Sequence, residues 1–182
     1  MNGPDALAAE DRANGLVGII VLGSAISVHE APPWQSVLER WLLQHAASGV
    51  PTLAICYGHQ LVAHALGGTV RFRNPEHGKR VGLAPVTFAP TRWLGAAVTN
   101  RLLFFSHREI VESVGQGLRA VATGAEPGIE AMEHESWPLW TVQAHPEATV
   151  DFTERQGAPA RAEELAFGAE LVDRFFARIA SP

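Results

Sequence analysis

The sequence of 182 residues contains a single cysteine, and the residue types around it suit that cysteine to nucleophilic chemistry. Cys56 lies in Ala54-Ile55-Cys56-Tyr57-Gly58-His59-Gln60. An apolar run of strand length, residues 50–55, precedes it. After it, Leu61, Val62, Ala65 and Leu66 recur at helical spacing until Gly67-Gly68 stops the pattern. A strand that feeds a helix through a small-X-Cys-X-Gly turn is the cysteine form of a nucleophile elbow. Ala54 and Gly58 remove bulk where strand and helix crowd the backbone. The turn carries the sulfur out at the strand's end, and the helix behind it directs unpaired N–H groups at a negatively charged sulfur. An isolated cysteine is ordinarily a small buried hydrophobe; the flanking glycine and the strand-to-helix switch weigh against that here.

A second group of chemical residues comes late in the chain. Residues 139–143 read as a strand leading into Ala144-His145-Pro146-Glu147. Proline biases the preceding His145 towards an extended conformation. Residues two apart then point to the same side, so His145 and Glu147 can meet. A carboxylate on one ring nitrogen fixes the tautomer and steadies the imidazolium when the other nitrogen takes a proton. Alone, His-Pro-Glu fits a surface turn. With an elbow cysteine it completes a nucleophile, a base and an orienter.

Together, Ile55-Cys56-Tyr57-Gly58-His59-Gln60 and His145-Pro146-Glu147 resemble the motifs of the class I (triad) glutamine amidotransferases. The resemblance extends over roughly residues 16–147 and is strongest to the amidotransferase domain of GMP synthase and its stand-alone relatives. It implies a catalytic triad of Cys56, His145 and Glu147. It also implies an oxyanion hole from the backbone N–H groups of Ser24 and Tyr57, and glutamine held with the help of Gly23, Gly58, Gln60, Ser106 and His107. Read by itself, His107 is open between a ligand contact and a capping residue. The implied reaction is hydrolysis of glutamine to glutamate and ammonia through a γ-glutamyl thioester. No cofactor is expected, and the ammonia would pass to a synthetase on another chain. Two alternatives stand beside it: a γ-glutamyl peptide or amide hydrolase, and an inactive amidotransferase-like binding subunit. His59 and His64 are five apart and diverge on a helix, so no metal site is expected.

The chain departs from the family in two places. The first loop usually reads Gly-Gly-Pro, whereas here it is Gly23-Ser24-Ala25. Backbone donation survives that change only if φ at Ser24 is negative or its strain is tolerated. A lost oxyanion donor typically costs about 10²–10³ in rate. In addition, the chain is expected to start almost directly at the family's third strand, without the family's first strand, first helix and second strand.

The elements that must position these groups follow from the hydrophobic pattern. Residues 4–12 suit a short helix or a mobile arm. Residues 15–22 are continuously apolar, as in a parallel strand buried on both faces, and lead into the small-residue loop 23–27. A helix from Pro33 to Gly49 presents Trp34, Val37, Leu38, Trp41, Leu42 and His45 on one face. Residues 71–80 form a basic loop, a solvated connection or, less simply, a docking surface. Strands are predicted over 81–88, 102–105, 118–123, 129–133 and 139–143, their close spacing suggesting antiparallel pairing. From about Ala160 an amphipathic helix presents Leu165, Leu171, Val172, Phe175 and Ile179, with Gly168 permitting close packing. The predicted fold is one α/β, flavodoxin-like domain: a layered sheet, mostly parallel with late antiparallel strands, with helices on both faces.

Composition narrows the function classes. With 47% hydrophobic and 18% charged residues the chain is folded, and its net charge of −5 opposes broad binding to nucleic acid or acidic membrane. A lone cysteine forms no internal disulfide, the N-terminus lacks a signal-peptide pattern, and no apolar run reaches membrane-spanning length. The expectation is a cytoplasmic protein. The strand at 16–22 carries no Lys, Pro or charge to guard an open edge. That leaves a homodimer or a partner at this edge, or a truncated and marginally stable chain.

Overall fold

Leu53, Ala54 and Ile55 are almost wholly buried, so the strand before Cys56 is covered on both faces. The computed structural model describes residues 15–180; the short helix or arm expected within residues 1–14 lies outside the described residues. The order is β1 (Ile19–Val21), a 3₁₀ turn (Val28–Glu30), α1 (Gln35–Ala47), β2 (Thr52–Ile55), α2 (Tyr57–Ala65), β3 (Thr69–Phe72), β4 (Arg80–Phe88) and β5 (Val98–His107). Then come β6 (Glu109–Ser113), β7 (Leu118–Gly124), β8 (Ala131–His134), β9 (Leu139–Val142), α3 (Val150–Arg155) and α4 (Ala162–Ala180).

Seven strands form the main sheet in the order β1-β2-β9-β8-β7-β4-β5, and β3 pairs with β6 in a separate ribbon. The early strands are parallel, β1 to β2 and β2 to β9. Pairings β9–β8, β8–β7, β7–β4 and β4–β5 are antiparallel. The layered α/β fold is therefore as expected, with an antiparallel part larger than the sequence suggests: four of the six pairings in this sheet.

Alternation along the central strands separates two cores. Leu53, Ile55, Trp140 and Val142 pack on one face with Phe167, Leu171 and Phe175 of α4. Ala54 and Leu139 face the other way, with Leu42 of α1 and Leu61 and Val62 of α2. The β2–β9 pair, which ends at Cys56 and leads to His145, is thus clamped between helices.

Two regions differ from the sequence reading. The basic stretch 71–80 is no simple solvated loop: Arg71 and Phe72 belong to β3, and Arg80 is buried. The Arg80 guanidinium pairs with Glu130 at 2.8 Å and lies 3.7 Å from the centroid of the Phe105 ring. The ribbon β3–β6 and the short α3 were not read at all, and the strand expected from 129 begins at Ala131. Among the described residues, no helix is long and apolar enough to cross a membrane.

Candidate active site

Cys56 sits between β2 and α2 with φ 52° and ψ −100°, a strained conformation for a residue with a side chain. Hydrogen bonds fix it: its N–H donates to Val142 O at 2.9 Å, and its carbonyl accepts from Gln60 N at 3.1 Å. The need for glycine two residues on is steric. A Cβ on Gly58 would lie 2.7 Å from Val21 O, so α2 presses directly on β1. Gly58, expected beside the substrate, is therefore placed against a neighbouring strand.

His145 follows β9, its N–H held by Phe104 O at 2.7 Å. Its Nδ1 hydrogen-bonds Glu147 Oε1 at 2.8 Å, which leaves Nε2 for the Cys56 side. Burial opposes charge on the ring. Hydrogen bonds to Cys56 and Glu147, with the attraction of both groups, outweigh that and push the imidazole up to about 10. Behind this segment α4 approaches so closely that a Cβ on Gly168 would lie 2.6 Å from Pro146 O. The close approach expected of Gly168 thus falls on the proline between His145 and Glu147.

The loop after β1 closes over both groups. A Cβ on Gly23 would stand 2.9 Å from His145 Cε1 and 3.5 Å from Cys56 Cβ, so only glycine fits there. Ser24 and Ala25 are not among the residues with positive φ, so the departure from Gly-Gly-Pro carries no left-handed strain. Tyr57 ties the elbow to this loop through Gln35: Tyr57 Oη donates to Gln35 Oε1 at 3.3 Å, and Gln35 Nε2 donates to Val28 O at 3.0 Å.

Two adjoining cavities share Cys56 and Ser24. One, of ≈ 240 Å³, is lined by Gln60, Ser106, His107 and Glu109 among others. The other, of ≈ 370 Å³, is lined by Gly23, His145, Glu147 and Phe152 among others. In the first, Gln60 Nε2 donates to Glu109 O at 3.0 Å and to Gln143 Oε1 at 3.2 Å. Its amide hydrogens are thereby spent, and its carbonyl oxygen is what it offers a ligand. His107 donates from Nδ1 to Glu109 O at 2.8 Å. Burial, aided by the charges of Arg80 and Arg73, lowers His107 to about 4, so the ring is neutral. Its buried Nε2 has no partner among the described residues. Ser106 Oγ donates to Gln156 Oε1 at 2.7 Å, where Lys79 Nζ also donates at 2.7 Å. His59 is structural: Nε2–H donates to Ile129 O, Nδ1 accepts from Thr141 Oγ1, and burial lowers it to about 3.

Sequence reasoning missed Glu109, Ser27 and Lys79 here. Glu109 is buried, lines the first cavity and accepts from Ser27 Oγ at 2.5 Å. Signals for two of them existed. Ser27 and Glu30 form a capping box, legible as Ser-x-x-Glu, and an acid follows Ser106-His107 two residues on.

A profile of the family described as glutamine amidotransferase class-I matches residues 5–158. GMP synthase (glutamine-hydrolyzing) of Alkaliphilus metalliredigens is 32% identical over 149 residues, covering 81% of this chain and 27% of that protein. The enzyme of the same name from Wolinella succinogenes is 30% identical over 134 residues, covering 71% of this chain and 24% of that protein. The chain thus spans about a quarter of the length of these relatives. A glutamine amido transferase of Methylobacillus flagellatus superposes with a TM-score of 0.74 at 18% identity, covering 96% of this chain and 81% of that one. One from Thermotoga maritima does so with 0.71 at 15% identity, covering 90% and 78%. These two likenesses speak for the fold; the profile, which takes in most of the sequence, places the chain in the class I glutamine amidotransferase family.

Proposed function

We propose that this chain hydrolyses the side-chain amide of glutamine, with Cys56 as nucleophile, His145 as proton carrier and Glu147 as its orienter. The observation that supports this most is that His145, held through Nδ1 by Glu147 Oε1 at 2.8 Å, lines one cavity together with Cys56 and Glu147. The Cys56 thiolate attacks the amide carbon, and the oxyanion is met by the N–H groups of Tyr57 and Ser24. The imidazolium of His145 gives its proton to the departing nitrogen, and ammonia leaves a γ-glutamyl thioester. His145 then takes a proton from water as that water attacks the thioester, releasing glutamate and regenerating the thiolate. The acceptors in the first cavity, Gln60 Oε1 and the Glu109 carboxylate, suit the α-ammonium group of the substrate. Ser106 and His107 complete that side. In this reading the ammonia passes to a synthetase; the GMP synthase relatives extend well beyond the matched part.

The ≈ 370 Å³ cavity beside His145 favours a second reading, in which the leaving nitrogen carries a substituent, as in a γ-glutamyl amide hydrolase. Comparing turnover of glutamine with that of γ-glutamyl amides separates the two. The nucleophile is tested by Cys56→Ala. Glutamate release should fall by at least about 10³-fold with little change in melting temperature, because the sulfur faces the cavities. Retention of more than a small fraction of wild-type turnover would contradict the assignment.

A further inference from the structure

Ser27 joins the loop that carries Ser24 to the carboxylate that lines the amino-acid cavity. Its side chain is buried, and its hydroxyl accepts from His29 N at 3.0 Å, so its own proton is directed to Glu109 Oε1 at 2.5 Å. The Ser27 N–H is spent on Glu30 Oε1 at 2.9 Å. Ahead of it, residues 22–25 are exposed. Their side-chain ties are a local bond from Ile26 N to Ser24 Oγ and a long one, 3.4 Å, from Arg108 to Ala25 O. Glu109 meanwhile holds the cavity wall through its backbone carbonyl, which accepts from both Gln60 and His107. One residue therefore grips the oxyanion loop with its side chain and the substrate side chains with its backbone.

We infer that Ser27 is a positioning residue through which an ammonium group bound at Glu109 sets the oxyanion loop. An amide lacking that group would meet a less ordered hole. The inference rests on the glutamine reading given above. Coupling of this kind is reciprocal: whatever fixes the carboxylate for the ligand also fixes the loop, and the reverse.

The test is a cycle of two substrates and two enzymes, glutamine and its analogue without the α-amino group, turned over by wild type and Ser27→Ala. The variant should lose about tenfold or more in kcat on glutamine, a part of what a lost oxyanion donor costs. On the analogue, already slow with wild type, it should lose less than about twofold. Ser27→Gly, which also lacks the hydroxyl but suits an N-cap, should repeat the pattern and guards against a folding defect. Proportional losses on both substrates, or none on glutamine, would overturn the coupling alone. If the wild type released no glutamate from glutamine, the functional reading would fall, and the coupling with it.

Discussion

His145 orders the residue-scale account, because its pKa of about 10 keeps the ring cationic beside Cys56 across the neutral range. In the proposed reaction, the acid that protonates the leaving nitrogen is then present below about pH 10 and lost above it, so kcat should fall on the alkaline side near that value. Glu147→Gln removes one of the attractions that raise the ring, so this fall should move to lower pH. Activity should drop by about tenfold or more, yet less than the roughly 10²–10⁴ expected for His145→Ala. A kcat profile from neutral to strongly alkaline pH checks both, and equal profiles for wild type and Glu147→Gln would show that something else holds His145. That Cys56, His145 and Glu147 line one cavity was foreshadowed by local patterns: a small-X-Cys-X-Gly turn, and a histidine and carboxylate two apart across a proline. The partnership of Glu109 with Ser27 was not, because it spans 82 residues and exists only once β6 folds back on the loop after β1.

At the scale of elements, the helical and strand periodicities located α1, β2, α2, β4, β5 and α4, each of which buries an apolar stripe or run. The ribbon β3–β6 escaped because β3 is only four residues long and carries an arginine, and β6 runs on from β5 after one residue. Arg80 was misread for a related reason. Charge in a run of basic residues reads as solvated, yet this guanidinium turns inward onto Glu130 and the Phe105 ring, behind the wall that carries Ser106 and His107. Both members of the pair are almost fully buried, Arg80 at 8% and Glu130 at 3% exposure. Arg80→Met would leave the Glu130 carboxylate without its partner, at a cost of about 3–5 kcal/mol. Denaturant titration of the variant should give that loss, and an unchanged midpoint would mean the pair contributes nothing net.

For the whole molecule, the family and the α/β layering could be read from the two motifs and the strand and helix order. The edge of the sheet is a separate matter. β1 lies at one end of the strand order, and Val17, Ile20 and Leu22 around it are exposed at 69%, 36% and 53%. The expectation of a homodimer through this edge is checked by sedimentation over a range of concentrations. Self-association should be weakened by Ile20→Lys, whose side chain is exposed enough to take a charge without disturbing the core. A monomer throughout, indifferent to the charge, would remove that expectation. Every step of the proposed reaction depends on Cys56 being the nucleophile for a glutamine-shaped substrate. Its most direct test is mass spectrometry of the protein treated with a glutamine analogue bearing an electrophile at the side-chain terminus. The result expected is one equivalent of label on Cys56, slowed by added glutamine and sharply reduced in His145→Ala; an unlabelled Cys56, or labelling indifferent to glutamine, would contradict it.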